Sequence, residues 1–367
     1  RCVANAGWLS ALFAVVLTVF TGLFCRTILT VMRTPEDIFD GAYWYILIIF
    51  LGIPTTFLYN LLAAVIRALG DSKTPVYFLA ISSVLNIALD LLLILYCHAG
   101  VAGAALATVI SQGVSGLACL VFMVKRFPIL HMTAEERRLD GRTCRTLCLM
   151  GIPMGLQYSI TAIGSIVLQS AVNGLGSRYV ASVAAGTKLF QVICCPFDAM
   201  GATMATYCGQ NVGAIKLDRL GQGLRACSLL GLGYALLSFA SIFFFAPQMA
   251  LLFLNPGEEA LIGYTAQYIT TLGAFFFPLA LVNILRFSIQ GMGFSNLAIL
   301  AGVMEMFARM GVATLLVPAI GYTGACFASP AAWICADLFL IPASCWSIAH
   351  LRRVYGQPGE RSGSPAP

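Results

Sequence analysis

Ten stretches of this chain are apolar for about the length that crosses a bilayer as a helix, roughly 20 residues. They fall near 4–31, 43–67, 75–96, 101–124, 146–173, 179–208, 226–254, 264–290, 297–318 and 323–349. Lipid offers no hydrogen-bond partner to a backbone, so only helices or closed barrels span it. These runs are too long for barrel strands and do not alternate in polarity, which predicts helices. Composition points the same way. Of 367 residues, 59% are apolar and 10% charged, whereas soluble domains carry roughly 25% charged residues. Disordered chains, nucleic-acid modules and ordinary cytosolic enzymes are excluded on that ground. The expected fold class is all-α integral membrane, with ten transmembrane helices.

The loops supply an orientation. Fourteen of the 21 basic residues, among them Lys125, Arg126, Arg137, Arg138, Arg142 and Arg145, fall in one alternate set of loops and at the two ends. The opposite set holds Arg33 and Arg178, with acids at Glu36, Asp37, Asp40, Glu258 and Glu259. By the positive-inside rule the basic side is cytoplasmic, and both ends of the chain lie there. The net charge of +6 is thus a topology signal, and no nucleic-acid partner is expected. The 13 cysteines sit within apolar stretches or at their ends, without zinc spacing, and read as small buried apolar residues.

The chain repeats itself. Asn60-Leu-Leu, Arg67-Ala-Leu-Gly70 and Ser72 match Asn283-Ile-Leu, Gln290-Gly-Met-Gly293 and Ser295 at an offset of 223, and Gly100-Val-Ala-Gly103-Ala104 matches Gly321-Tyr-Thr-Gly324-Ala325 at 221. Four helices in 1–126 therefore mirror four in about 224–353, in the same direction across the membrane, as in a parallel-repeat transporter. The helices at 146–173 and 179–208 have no counterpart in the first half, so two further helices are expected ahead of Arg1. The polar stretch 127–141 is the expected cytoplasmic linker between a four-helix lobe, 1–126, and a six-helix lobe, 142–353. Residues 354–367 are expected as a disordered cytoplasmic tail.

Two motifs make the reading specific. Ala64-Val-Ile-Arg67-Ala-Leu-Gly70-Asp71-Ser-Lys73-Thr-Pro75, followed by Asn86 and Asp90, resembles the join of helices 4 and 5 in the multidrug and toxic compound extrusion (MATE) family. Gly209-Gln210-Asn211-Val-Gly213-Ala214 resembles the cytoplasmic end of helix 8 in that family. The resemblance covers residues 1 to about 353 as helices 3–12 of a twelve-helix, 6+6 fold. It implies a V-shaped pair of lobes that open alternately to either side and exchange an incoming proton or sodium ion for an organic, often cationic, amphipathic compound. No other cofactor and no metal are implied. The implied partners are the lipid bilayer and small-molecule drugs, with the protein a monomer in the plasma membrane.

Asp90 is the sharpest single signal, because residues 74–124 contain no other charged side chain. A carboxylate at a helix centre costs about 2.5–3.5 kcal/mol on insertion scales, a cost relieved by a proton or a bound cation. Asn86 lies one turn earlier on the same face, and Thr108 lies mid-way along the next helix. Their oxygens suit a hard cation. One branch of the family resembled carries an Asn and an Asp four apart in helix 5 and a Thr in helix 6, which fall on Asn86, Asp90 and Thr108. A structural acid hydrogen-bonded to neighbouring helices is the other reading of Asp90.

The second half places Met310 to Val312 at the repeat position of Asp90 and carries Lys188, Asp198, Arg286, Glu305, Arg309 and Asp337 within its spans. Mutual neutralisation is expected for these, with Glu305 and Arg309 paired at i,i+4. Gln157, Tyr158, Gln169, Asn283 and Glu305 are candidates to line a substrate cavity, or else to bond between helices. Pro196 and Pro278 are candidate kinks. The leading functional expectation is a proton- or sodium-coupled exporter of organic compounds. The alternative is a flippase for lipid-linked oligosaccharides of the same superfamily, which would need a basic cavity built from Arg26, Arg67, Lys188, Arg286 and Arg309. No HExxH, GxSxG or P-loop pattern supports an enzyme.

Overall fold

The computed structural model describes residues 1–31, 36–128, 133 and 135–355. Among them every regular element is helical. The chain divides into two compact units, Arg1–Leu147 and Cys148–Pro367. Among the described residues, eight helices are long and apolar enough to cross a membrane, or ten when each of two bent pairs is one span.

In the first unit α1 (Cys2–Val31) packs on α2 (Glu36–Leu51) and α3 (Ile53–Ala68), and α5 (Gly100–Arg126) packs on α2, α3 and α4 (Lys73–Leu91). Large side chains such as Leu12, Phe13, Phe20 and Leu23 point outward, as expected of a surface that meets lipid. The second unit begins within α6 (Gly141–Leu175). It continues with α7 (Ser177–Gly213), α8 (Asp218–Ala250), α9 (Glu259–Ala274), α10 (Phe276–Gly291), α11 (Ser295–Gly311), the short α12 (Val317–Ile320) and α13 (Tyr322–Cys326), and α14 (Ala328–Tyr355). Helix α8 shows the membrane rule plainly. Gly231, Ala235, Ser238, Ala246 and Ala250 are buried, while Leu229, Leu230, Leu236, Phe243 and Phe244 face out. Small residues let backbones approach, and the large ones meet hydrocarbon. Gly291 is the extreme case: a Cβ there would stand 2.9 Å from the carbonyl carbon of Ala205 on α7.

The sequence repeat reappears as a repeat of backbone devices. Helices α3 and α10 each have 16 residues and each follows a bend, of 41° and 53°. Each is followed by a glycine with positive φ, Gly70 at 97° and Gly293 at 94°. Helices α4 and α11 then run into five-residue π-helical segments, Leu92–Tyr96 and Val312–Leu316. Each segment leads to a second positive-φ glycine, Gly100 at 54° and Gly321 at 62°. The apolar runs 43–67 and 264–290, expected as single helices, are therefore broken. The first breaks at Gly52, ahead of Pro54 in the first turn of α3. The second breaks at Phe275, with Pro278 in the first turn of α10. Proline is tolerated there because the first helical N–H groups have no partner within the helix. Pro196, by contrast, lies within the continuous α7.

Side chains secure the polar ends. Asp71 accepts from the N–H groups of Lys73 at 3.1 Å and Thr74 at 3.0 Å, and from the Thr74 hydroxyl at 2.6 Å, at the start of α4. Asp140 does the same for α6 through Thr143. Asn5 Oδ1 accepts from the Asp140 N–H at 2.8 Å, and the Trp8 indole donates to the Arg137 carbonyl at 2.9 Å, which ties the described part of the linker to α1. Residues 129–132 and 134 of the linker, and the expected tail beyond Tyr355, lie outside the described residues.

The Thr74 hydroxyl, with the Thr74 and Lys73 N–H groups, holds the Asp71 carboxyl below the usual carboxylate range. A depressed folded pKa gives stability that is present above the unfolded value, about 3.9, and lost as pH falls through the folded one. Asp71→Ala is expected to cost about 1 kcal/mol at neutral pH, the usual worth of such a cap. In thermal unfolding the gap to the unmodified protein narrows as the pH is lowered below about 4; a gap independent of pH contradicts the capping role.

Candidate ion and substrate sites

Helices α4 and α5 run antiparallel. The Ser82 hydroxyl donates to the Ser111 carbonyl at 2.7 Å, and Gly103 lies against Leu93. This register sets Thr108 level with Asn86 and Asp90 about one turn further along. Asp90 stands in the last turn of α4, directly before the π-helical segment. Segments of that kind, which open the i→i−4 ladder, recur at functional sites. Asn86 and Asp90 are both half-buried. Asn86 Nδ2 and Asp90 Oδ1 are shielded from solvent, and neither finds a hydrogen-bond partner. Asp90 has no ion pair among the described residues. Thr108 is exposed, and its hydroxyl donates to the Ala104 carbonyl at 3.0 Å.

Two residues of α5 that the sequence reading passed over share this condition. Gln112 Oε1 and Ser115 Oγ are buried without partners, and on α1 so is Thr18 Oγ1. Gln112 follows Thr108 by one turn, and Ser115 follows by two, so the three share a face of α5. The visible signal was that spacing. An unpartnered buried polar group costs about 1–3 kcal/mol, so each of these positions, spread along the helices, is suited to take a proton, a cation or water. A separate groove of about 280 Å³ lies between α1 and α3, lined mostly by apolar residues such as Ala14, Pro54, Phe57 and Leu61, with Ser10.

The second unit treats its charges differently. Glu305 is 2% exposed and bridges two arginines. One carboxylate oxygen takes Arg286 Nη2, and the other takes Arg309 Nη2 at 3.3 Å. The expected i,i+4 pair is therefore present, and Arg286 from the neighbouring helix joins it. Gln157, 2% exposed, lies 2.8 Å from Gln290 Nε2. With its oxygen turned toward Arg286 it accepts from Nη1 at 3.0 Å and from Nε at 3.2 Å. Asn283 donates to Asp198 at 3.2 Å, joining α10 to α7. Tyr158 is 60% exposed, and Gln169 is exposed and bonded to Asn173 at 2.9 Å on the same helix. Of the five candidates for a cavity lining, Tyr158 and Gln169 thus present open faces, and Gln157, Asn283 and Glu305 are engaged inside the unit. Lys188 lies over the Phe253 ring at 5.8 Å.

Removing one partner of a buried ion pair leaves an uncompensated charge and costs about 3–5 kcal/mol, whereas replacing the whole group by apolar residues is often neutral. Glu305→Gln is therefore expected to destabilise the protein by about 3–5 kcal/mol, read as a loss of thermal stability in detergent. The combined change Arg286→Met, Glu305→Leu and Arg309→Met is expected to restore most of it. Equal losses in both contradict a compensated triad.

Comparison with known proteins agrees with this architecture. The family model described as MatE matches residues 2–92 and 153–315, well over half of the chain. "Probable multidrug resistance protein YpnP" of Bacillus subtilis (strain 168) is 34% identical over 261 residues, covering 70% of this chain and 56% of that protein. "Probable multidrug resistance protein YoeA" of the same organism is 32% identical over 266 residues, covering 71% and 58%. The chain thus spans a little under three fifths of the length of these relatives. A solved structure titled "Outward-facing conformation of a multidrug resistance MATE family transporter of the MOP superfamily" superposes with a TM-score of 0.89 at 21% identity, covering 96% of this chain and 79% of the other. That likeness shows the fold. From its family model, its helices and its repeat, this multi-pass membrane chain belongs to the MatE family, a family of transporters and not of enzymes.

Proposed function

We propose that the protein exports organic, often cationic, amphipathic compounds by alternating access, driven by the inward movement of a proton or sodium ion. The observation that carries this reading is Asp90: a carboxylate oxygen without a partner, in a stretch, 74–124, with no other charge. Asn86 and Thr108 complete the ion site, with Gln112 within one turn of Thr108. The driving ion and the exported compound then compete through the same conformational cycle, because occupancy of Asp90 biases inward- against outward-facing states. The relatives named for multidrug resistance support an organic substrate.

The lobes of this reading are 1–126 and 142–353, joined by the linker 127–141. Tyr158 and Gln169 line the substrate path, with Gln157, Asn283 and Glu305 holding its wall. The protein works as a monomer in the plasma membrane, with both ends of this chain cytoplasmic by the distribution of lysine and arginine. No cofactor besides the coupling ion takes part. The oligosaccharide-flippase alternative is disfavoured by charge: Arg286 and Arg309, two of the five cations it would use, are already taken up by Glu305.

Asp90→Asn keeps the side-chain volume and removes the charge. In proteoliposomes with a pH gradient and a sodium gradient imposed separately, it is expected to abolish gradient-driven efflux of a fluorescent organic cation at matched protein levels. Substrate affinity and thermal stability are expected to stay near those of the unmodified protein. Efflux by Asp90→Asn at the unmodified rate would place coupling elsewhere.

A further inference from the structure

Asp337 lies within α14, 7% exposed, and its Oδ1 has no hydrogen-bond partner among the described residues. Helix α14 packs on α10, α11 and α13. From α10 it is faced by Arg286, which lies within electrostatic reach. The titratable or charged residues on the other two helices are Glu305 and Arg309 on α11 and Tyr322 and Cys326 on α13. Tyr158 of α6 is within electrostatic reach of Arg286, and Tyr268 of α9 of Arg309.

The donors of Arg286 that have partners point elsewhere. Its Nη2 goes to Glu305, and its Nη1 and Nε go to Gln157 when that amide is turned with its oxygen toward them. Asp337 therefore feels a neighbouring cation without receiving a hydrogen bond from it. A lone ionised carboxylate in such a place is costly, and the acid relieves that cost by taking a proton. A bare metal cation is disfavoured by the two guanidinium groups, whereas a proton needs only one oxygen. The counterpart is already present: Arg309 Nη1 is buried and unpartnered, on a residue 7% exposed.

We propose that Asp337 is a proton-binding site of the second unit, loading and releasing one proton beside the Arg286–Glu305–Arg309 triad. On release the O–H bond of the carboxylic acid breaks, its electron pair stays on the oxygen, and the proton passes to water. The carboxylate then draws Arg286 from Glu305, and the free Nη1 of Arg309 takes the vacated place. The charge of the four-residue cluster alternates between +1 and zero. This site shares no residue with the one at Asp90 and stands independently of it.

The test is infrared difference spectroscopy, alkaline minus acid, on the protein in lipid nanodiscs. The unmodified protein is expected to lose a carboxylic-acid carbonyl band on alkalinisation. That band is absent in Asp337→Asn, displaced in Asp337→Glu and unchanged in Asp90→Asn. Should Asp337→Asn fail to fold, Asp337→Glu decides, because a new carboxylic acid must move the band. A band that persists unmoved in the Asp337 variants overturns the inference. A band that disappears only in Asp90→Asn also overturns it, while leaving coupling at Asp90 standing.

Discussion

Inside a bilayer a polar group has no water to fall back on, so each must be satisfied within the protein or by whatever the protein carries. Both units leave some buried polar atoms without partners, Asp337 Oδ1 and Arg309 Nη1 among them in the second, but among the described residues only the second builds a paired ionic network. In the second, Glu305 gives one oxygen to each of two arginines, Gln157 with its oxygen turned toward Arg286 accepts from it, and Asn283 binds Asp198. In the first, Asn86, Asp90, Gln112 and Ser115 are left with shielded, unpartnered atoms on two adjoining helices. A closed network fixes helices against one another.

The contrast is sharper because the backbone beneath is duplicated. Bend, helix, positive-φ glycine, helix and π-helical segment recur in the same order in both units. Yet the position of Asp90 before the first π segment is held by Met310 before the second. A repeated frame thus carries an acid in one copy and an apolar side chain in the other. Magnitudes bear on the division of labour. Shifting a two-state equilibrium from 1:99 to 99:1 takes about 5.5 kcal/mol of differential binding. The burden of one carboxylate at mid-membrane is about 2.5–3.5 kcal/mol. On the proposed reading the relief of that burden sets an upper bound, about half of a complete switch, on what Asp90 contributes alone, and leaves room for a second titrating acid such as the proposed Asp337.

Much of this was legible in the sequence, and the part that was not has a physical reason. Apolar run length located every span, and the offset matches at Gly70 and Gly293 located the repeat, because both depend on residue type alone. Asp90 stood out because nothing charged surrounds it. The break at Gly52 was missed, and that at Phe275 was signalled only by the candidate kink at Pro278: an all-apolar run has no polar face whose phase would shift at a bend. The π segments were invisible for the same reason. Glu305 and Arg309 could be paired from their spacing on one helix, but Arg286 joins them from another helix, and no local pattern encodes that. Gln112 and Ser115 were passed over, because no local pattern tells whether a buried side chain finds a partner on another helix.

The central claim is that the ion and the exported compound compete through Asp90. The most direct measurement is the affinity of the purified protein for a fluorescent organic cation, titrated against pH and against sodium with no gradient present. The account predicts that affinity in the unmodified protein falls as the driving ion is raised, and that in Asp90→Asn it no longer responds to that ion. The same ion dependence in both proteins would contradict it.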